Sequence, residues 1–240
     1  MANRTAQKEK AGNRLERKIE QAYLIAERKL FPLKKVGHVR NLKRTGCLSL
    51  IFLSSLIVPA AFARLETYKI DPAHTYPAFE TDHMGGLSLW RGKINSTSGA
   101  ITLDKKAKSG GVDVLMDMRS IDFGNQDMND RAKEGDILDV EGYPSAHYVG
   151  RLVFEDDDPV GVQGHLTLLG ITKPVDLSIK SFKCMFHPVR LKRVCGADAF
   201  TTIRRDDFGV DYAKYFGFKM DVTLRISVEA FRVRSGFFSD

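Results

Sequence analysis

Cysteine is nearly absent from this 240-residue chain, which has three, at Cys47, Cys184 and Cys195, and tryptophan occurs once, at Trp90. No Gly-x-Ser-x-Gly elbow, HExxH helix or phosphate-binding glycine loop occurs, so the sequence signatures of serine hydrolases, zinc peptidases and P-loop proteins are missing. Excess charge of either sign is missing from most of the chain. Residues 1 to 63 carry 13 Lys+Arg against 4 Asp+Glu, and the other 177 carry 24 against 26, so the formal net charge of +7 belongs to the first quarter. Nucleic-acid binding by the remainder therefore lacks electrostatic support.

That first quarter reads as a leader. Leu15, Ile19, Tyr23, Ala26 and Leu30 are spaced as one face of a short amphipathic helix. Lys34, Lys35, Arg40, Lys43 and Arg44 then precede an uncharged run, Cys47 to Ala63, that ends Ala61-Phe62-Ala63. Positive charge, an apolar stretch and a small-x-small ending are the parts of an export signal, with cleavage expected after Ala63. The alternative is an uncleaved anchor, since the run is at the short edge of a membrane span. Pro59 and the small residues after it favour cleavage. The expected division is 1–63, basic leader and signal peptide, and 64–240, one folded domain. Arg44-Thr45-Gly46 before Cys47 lacks the apolar residue of a lipobox.

Removal of the leader leaves Cys184 and Cys195, flanking the loop CMFHPVRLKRVC. In an oxidising compartment they are expected to form a disulfide that staples a hairpin and contributes roughly 2 to 3 kcal/mol. His187 between them does not complete a zinc site, because a fourth ligand is lacking.

The strongest pattern in the folded part is Phe218 to Phe231. Phe218, Met220, Val222, Leu224, Ile226, Val228 and Ala230 alternate with an almost wholly polar set. Period-two alternation predicts one long strand with one dry face. Further strands are expected at Glu66 to Ile70, Leu87 to Ser96, Ala100 to Leu103, Gly111 to Arg119, Ala146 to Phe154, Val160 to Leu169, Val175 to Phe182 and Gly196 to Arg205. Asn125 to Ala132 reads as a short surface helix running toward Gly135. The sum is an all-β single domain, an antiparallel barrel of about eight strands, because closure removes exposed edges.

Several blocks resemble the YceI-like family: Asp71-Pro72-Ala73-His74, Phe79 to His83 with Met84-Gly85, Arg91-Gly92, Ile121 to Asn125, Asp139 to Pro144, Leu166 to Val175, and Cys195 to Asp198 leading to Arg205 to Gly209. The resemblance covers nearly all of residues 66 to 232. It implies a lipocalin-like barrel in the periplasm, often dimeric, whose apolar tunnel holds a polyisoprenoid or a related long amphiphile such as a quinone. Two departures, Pro77 and Thr81-Asp82, fall where the family keeps a clean strand and an apolar-plus-basic lead into His83.

Candidate tunnel-lining residues are Met116, Met118, Phe154, Leu168, Val222, Leu224 and Ile226. His74, His83 and Trp90 are candidates for the headgroup or mouth. Asp122, Asp127, Asp130, Asp136 and Asp139 read as a solvated acidic face, since they lack the glycine and terminal glutamate of a calcium loop. The expected role is binding, transport or storage of an isoprenoid-type lipid, with no catalysis, metal or cofactor, and with transient membrane contact. One rival reading is an acid-base enzyme using His74, His83 or His147 with a nearby Asp. Another is an envelope-stress or partner-binding module with a fully packed barrel. Volume separates them: if Trp90, Phe79, Phe154 and the methionines fill the interior, no ligand fits.

Overall fold

The computed structural model describes residues 65 to 233; the leader, including the export segment and the cut after Ala63, lies outside the described residues. Strands β1 (Glu66–Ile70) and β2 (Tyr76–His83) are two halves of one path, for both pair with the same strand, β12 (Asp221–Arg232). Asp71-Pro72 breaks the path. The Asp71 carboxylate accepts the Ala73 N–H at 3.2 Å and lies 2.9 Å from His74 Nδ1, forming a tight turn. Thr75 Oγ1 then donates to the Glu229 carbonyl and accepts its N–H, both at 3.2 Å, which reattaches the chain to β12.

The next two paths are interrupted in the same way. Strand β3 (Ser88–Ile94) pairs with β2, and its continuation β4 (Thr97–Asp104) pairs with β1. Strand β5 (Ser109–Asp117) pairs with β4, and after a 3-10 turn the two-residue β6 (Ile121–Asp122) pairs with β3. Three long strands follow in the main path: β7 (Ser145–Glu155), β8 (Asp158–Leu168) and, after the short flap β9 (Ile171–Pro174), β10 (Leu177–His187). Strand β11 (Lys192–Arg204) links β10 to β12, and β12 returns to β1. The result is a closed antiparallel barrel of eight paths, each beside its chain neighbours. Short hairpins suffice for such a meander, and closure leaves few free edges.

Helix α1 (Gln126–Lys133) is capped by Asn125, whose side chain accepts the Met128 N–H at 3.1 Å. Asp127 in its first turn and Arg131 and Lys133 in its last match the helix dipole. We define the end carrying α1 and the segments 84–87, 118–144 and 205–220 as the upper end.

Two sequence expectations change, and one bulge adds to them. Strand β2 was not anticipated, because Pro77 obscured its pattern; the proline lies near the start of the strand, opposite Ile226, where a missing N–H is best tolerated. The long last strand begins at Asp221 and not Phe218. Asp82 of β2 accepts the Lys219 N–H at 3.0 Å, and the Met220 carbonyl accepts the Arg205 N–H at 2.9 Å, so both residues are held by other contacts before the ladder starts. A bulge between Ile179 and Ser181 in β10 shifts the inward set from Leu177 and Ile179 to Phe182 and Cys184.

Candidate ligand-binding site

Alternation carries one side chain in two into the barrel, so each long strand delivers an apolar stripe. Val222, Leu224, Ile226, Val228 and Ala230 come from β12, Val112, Val114 and Met116 from β5, and Val162 and Leu166 from β8. On β11 and β7 the inward positions include the small residues Ala197, Ala199 and Ala146. Small side chains leave space, and the stripes surround a cavity of about 610 Å³. That volume is within the range of small-molecule pockets, roughly 300 to 1,000 Å³.

The lower end is narrowed by an apolar cluster of Tyr68, Ile70, Leu103, Cys195 and Ala230, against which Phe154, Phe182 and Cys184 pack. The hydroxyl groups of the two tyrosines buried in the wall are satisfied. Tyr68 donates to Glu66 Oε2 at 2.7 Å, and burial, assisted by that bond, pushes its pKa up to about 12. Tyr148 donates to the Val175 carbonyl at 2.9 Å; burial, with the Asp176 charge nearby, raises its pKa also. Both stay protonated and internally bonded, so neither presents a charge to the lumen.

The charged lining residues gather at the upper end, and Arg205, Arg131 and Asp82 among them are engaged by the protein itself. Arg205 donates to the carbonyls of Val210 and Tyr212, both at 2.8 Å, and burial holds its guanidinium below the ordinary value. Arg131 donates to both Asp136 oxygens at 2.6 and 2.7 Å and to Glu134 at 2.6 Å, while its guanidinium lies 4.5 Å from the Tyr212 ring centre. Asp82 accepts from the Lys219 and Gly85 N–H groups, which hold its carboxyl below the usual range. Next to these, Phe79 meets Phe123 edge on at 5.2 Å, and Trp90 lies 6.4 Å from Phe123.

Met116, Met118, Leu168, Val222, Leu224 and Ile226 all lie on the cavity wall, and His83 and Trp90 lie at its upper end. Phe79, Trp90 and the two methionines line the space without filling it. Phe154 and His74 are not among the residues lining the cavity. Phe154 keeps the inward face of Leu152 but packs into the lower cluster, outside the cavity lining. His74 belongs to the Asp71 turn, with its side chain 57% exposed. His147 pairs with Asp113 at 2.8 Å, and neither residue lines the cavity; Asp113 lies between the inward-facing Val112 and Val114. Among the described residues, no group of three or more His, Cys, Asp or Glu is placed to hold a metal ion.

Three features escaped the sequence reading. Arg131 and Arg205 line the cavity, but strand alternation says nothing about residues on a helix or a loop. The role of Thr75 as the tie between the two halves of the first path had no pattern to announce it. The disulfide was legible: Cys184 and Cys195 are direct partners across β10 and β11 and are bonded.

A closed eight-strand meander around an apolar lumen defines a lipocalin-like barrel. The profile of the YceI-like domain matches residues 68 to 230, and the chain belongs to the YceI-like family. A UPF0312 protein of Pseudomonas aeruginosa is 31% identical over 201 residues, covering 80% of this chain and 99% of that one. Protein YceI of Escherichia coli O157:H7 is 31% identical over 160 residues, covering 65% of this chain and 83% of that one. Among solved structures, Burkholderia cenocepacia BcnA aligns with a TM-score of 0.57 at 18% identity, covering 67% of this chain and 99% of its own. A polyisoprenoid binding domain from Saccharophagus degradans aligns with a TM-score of 0.52 at 14% identity, covering 69% and 98%. At such identities the structural likeness is one of fold.

Proposed function

We propose that this protein binds a long isoprenoid-type amphiphile, a polyprenyl chain or a quinone, inside the barrel, and carries or stores it in the periplasm. The observation that carries this reading is the 610 Å³ lumen, lined by apolar side chains along its length, with Arg131 and Arg205 at one end bonded to the protein's own acceptors. Each buried CH₂ gains roughly 0.8 kcal/mol, so a tail with ten buried carbons gains about 8 kcal/mol before ordering costs. Tight binding therefore needs no charged contact. Discrimination rests on chain length and shape, which an apolar wall reads better than headgroup chemistry.

Binding, not catalysis, is the reading the histidines support. His74 with Asp71 and His147 with Asp113 are the histidine-carboxylate pairs of the described residues, and all but Asp71 are substantially exposed. Export through the segment 47 to 63, with cleavage after Ala63, is part of the proposal, and the Cys184–Cys195 bond suits an oxidising compartment.

The test is organic extraction and mass spectrometry of the protein purified from its native periplasm without detergent. A stoichiometric polyprenyl or quinone species is the expected result. An empty protein that also fails to take up added polyprenol would overturn the reading in favour of a partner-binding module.

A further inference from the structure

The hairpin joining β10 to β11 plays no part in the lumen, yet its surface is unlike the rest of the barrel. Pairing between β10 and β8 is confined to Leu177 and Ser178, and pairing between β11 and β12 stops at Val194. The ladder from Met185 opposite Val194 to His187 opposite Lys192 therefore runs out past the lower end of the barrel. Phe182 and Cys184 face inward, and alternation places Phe186 on the same face. With no strand among the described residues left to cover it, Phe186 is 61% exposed, beside Met185 at 51%, Val189 at 83% and Leu191 at 70%.

Charge is concentrated on the same segment. Lys183, Arg190, Lys192 and Arg193 are all exposed, and no Asp or Glu occurs between residues 183 and 194. The folded part as a whole holds slightly more acid than base, so this is a local feature of the hairpin. The tip is also ordered in advance. His187 Nδ1 accepts the N–H groups of Val189 and Arg190 at 3.3 and 3.1 Å, the Leu191 N–H donates to the His187 carbonyl at 2.9 Å, and the disulfide closes the base. Arg190 lies 4.9 Å from the centre of the Phe231 ring and 4.0 Å from Asp71, which ties the tip to the barrel.

We propose that this hairpin is a docking element for anionic lipid surfaces. Apolar side chains at the tip enter the interface while the cations at its base face the headgroups, the same division found in interfacial amphipathic segments. Charge complementarity selects the partner: an uncharged bilayer satisfies the apolar tip alone, and a soluble acidic protein leaves four apolar side chains in water. Because the tip is fixed before contact, little ordering entropy is lost on docking. The proposal is independent of what occupies the lumen.

Flotation with vesicles of phosphatidylcholine alone, or mixed with phosphatidylglycerol, tests it on the purified oxidised protein. Binding is expected with the anionic vesicles and is expected to weaken as salt rises. The double substitution Lys192→Glu and Arg193→Glu is expected to lower that binding roughly tenfold or more, since each basic residue near an anionic surface contributes to attachment. Val189→Asp with Leu191→Asp removes the apolar part and is expected to weaken binding with an unchanged melting temperature. Equal binding to both vesicle types, binding to neither, or no response to the charge reversals would overturn the proposal. So would a dimer that the same substitutions dissociate in the absence of vesicle binding, which would assign the hairpin to a second copy of the chain.

Discussion

His83 and Trp90 are stacked at the upper end of the lumen, with ring centres 3.9 Å apart and planes inclined by 17°. The other side of the arrangement is closed by Phe218, whose ring meets His83 edge on at 5.3 Å. Strands β2 and β3 and the segment leading into β12 are thus joined through one aromatic cluster on the cavity wall. Trp90 is the single tryptophan of the chain, so its emission reports this cluster alone. Adding polyprenol to delipidated protein is expected to shift that emission to shorter wavelength. Replacing His83 with Ala removes the stacked ring and is expected to cost about 1 kcal/mol in a denaturant titration.

Filling the lumen tests its use directly. Leu224 faces the cavity from the middle of β12, and Leu224→Trp places a larger ring in space that a ligand would occupy. Co-purified lipid is expected to fall by about tenfold or more, while the stability change stays below about 3 kcal/mol because room exists for the ring. Lipid content by mass spectrometry and a thermal melt measure the two effects separately.

The disulfide closes a loop of sequence separation 11 between adjacent strands. Converting both Cys184 and Cys195 to Ser is expected to lower stability by roughly 2 to 3 kcal/mol, since loop-closure entropy returns to the unfolded chain. For a domain of this size that corresponds to a fall in melting temperature of roughly 5 to 10 °C. The unmodified protein treated with reductant should follow the double variant.

Acid acts on the segment that covers the upper end. The Lys214 ammonium at 2.9 Å and the Arg204 guanidinium at 2.7 Å hold the Asp206 carboxyl down at about 2. A folded value below the unfolded one means that the contribution is complete above about pH 4 and is lost as pH falls through about 2. Asp206→Asn is expected to flatten the pH dependence of stability across that window and leave it unchanged near neutrality in slope. Parallel dependence of the two proteins between pH 4 and 2 would show that the ion pairs contribute nothing.

Gly164 on β8 is expected to resist substitution. A Cβ added there would meet the hydroxyl and ring of Tyr148 and the Val149 carbonyl. Gly164→Ala must displace Tyr148 from its bond to Val175, and a loss of about 1 to 3 kcal/mol is expected in chemical denaturation. Pairing the change with Tyr148→Phe, which removes the hydroxyl, should recover part of it.

Much of the barrel could be read in the chain because its information is local. Val222, Leu224, Ile226 and Val228 alternate with Thr223, Arg225, Ser227 and Glu229, and a strand has no way to bury one set without exposing the other. Asn125 to Ala132 announced α1 because the stretch is short, polar and free of β-branched residues, and the structure makes Asn125 its cap. Cys184 and Cys195 announced a hairpin staple by being the last two cysteines of the chain.

Where a local rule was silent, the reading stopped short. Phe154 has the inward face that counting by twos gives it, but alternation fixes a face and not a depth, and the ring packs in the lower cluster. Pro77 masked β2. Arg131 and Arg205 reach the lumen from a helix and a loop, whose side-chain directions depend on how those segments dock.

The sequence by itself determined which residues are dry, where the turns fall, which cysteines pair and which family the chain resembles. Only the tertiary structure decided that the dry faces enclose space instead of meeting one another. Alternation specifies the chemistry of a face and not the curvature of the sheet that carries it. The 610 Å³ lumen depends on closure of β12 onto β1 and β2 and on Ala146, Ala197 and Ala199 converging from strands far apart in the chain. Volume is a property of the closed ring, and no single strand encodes it.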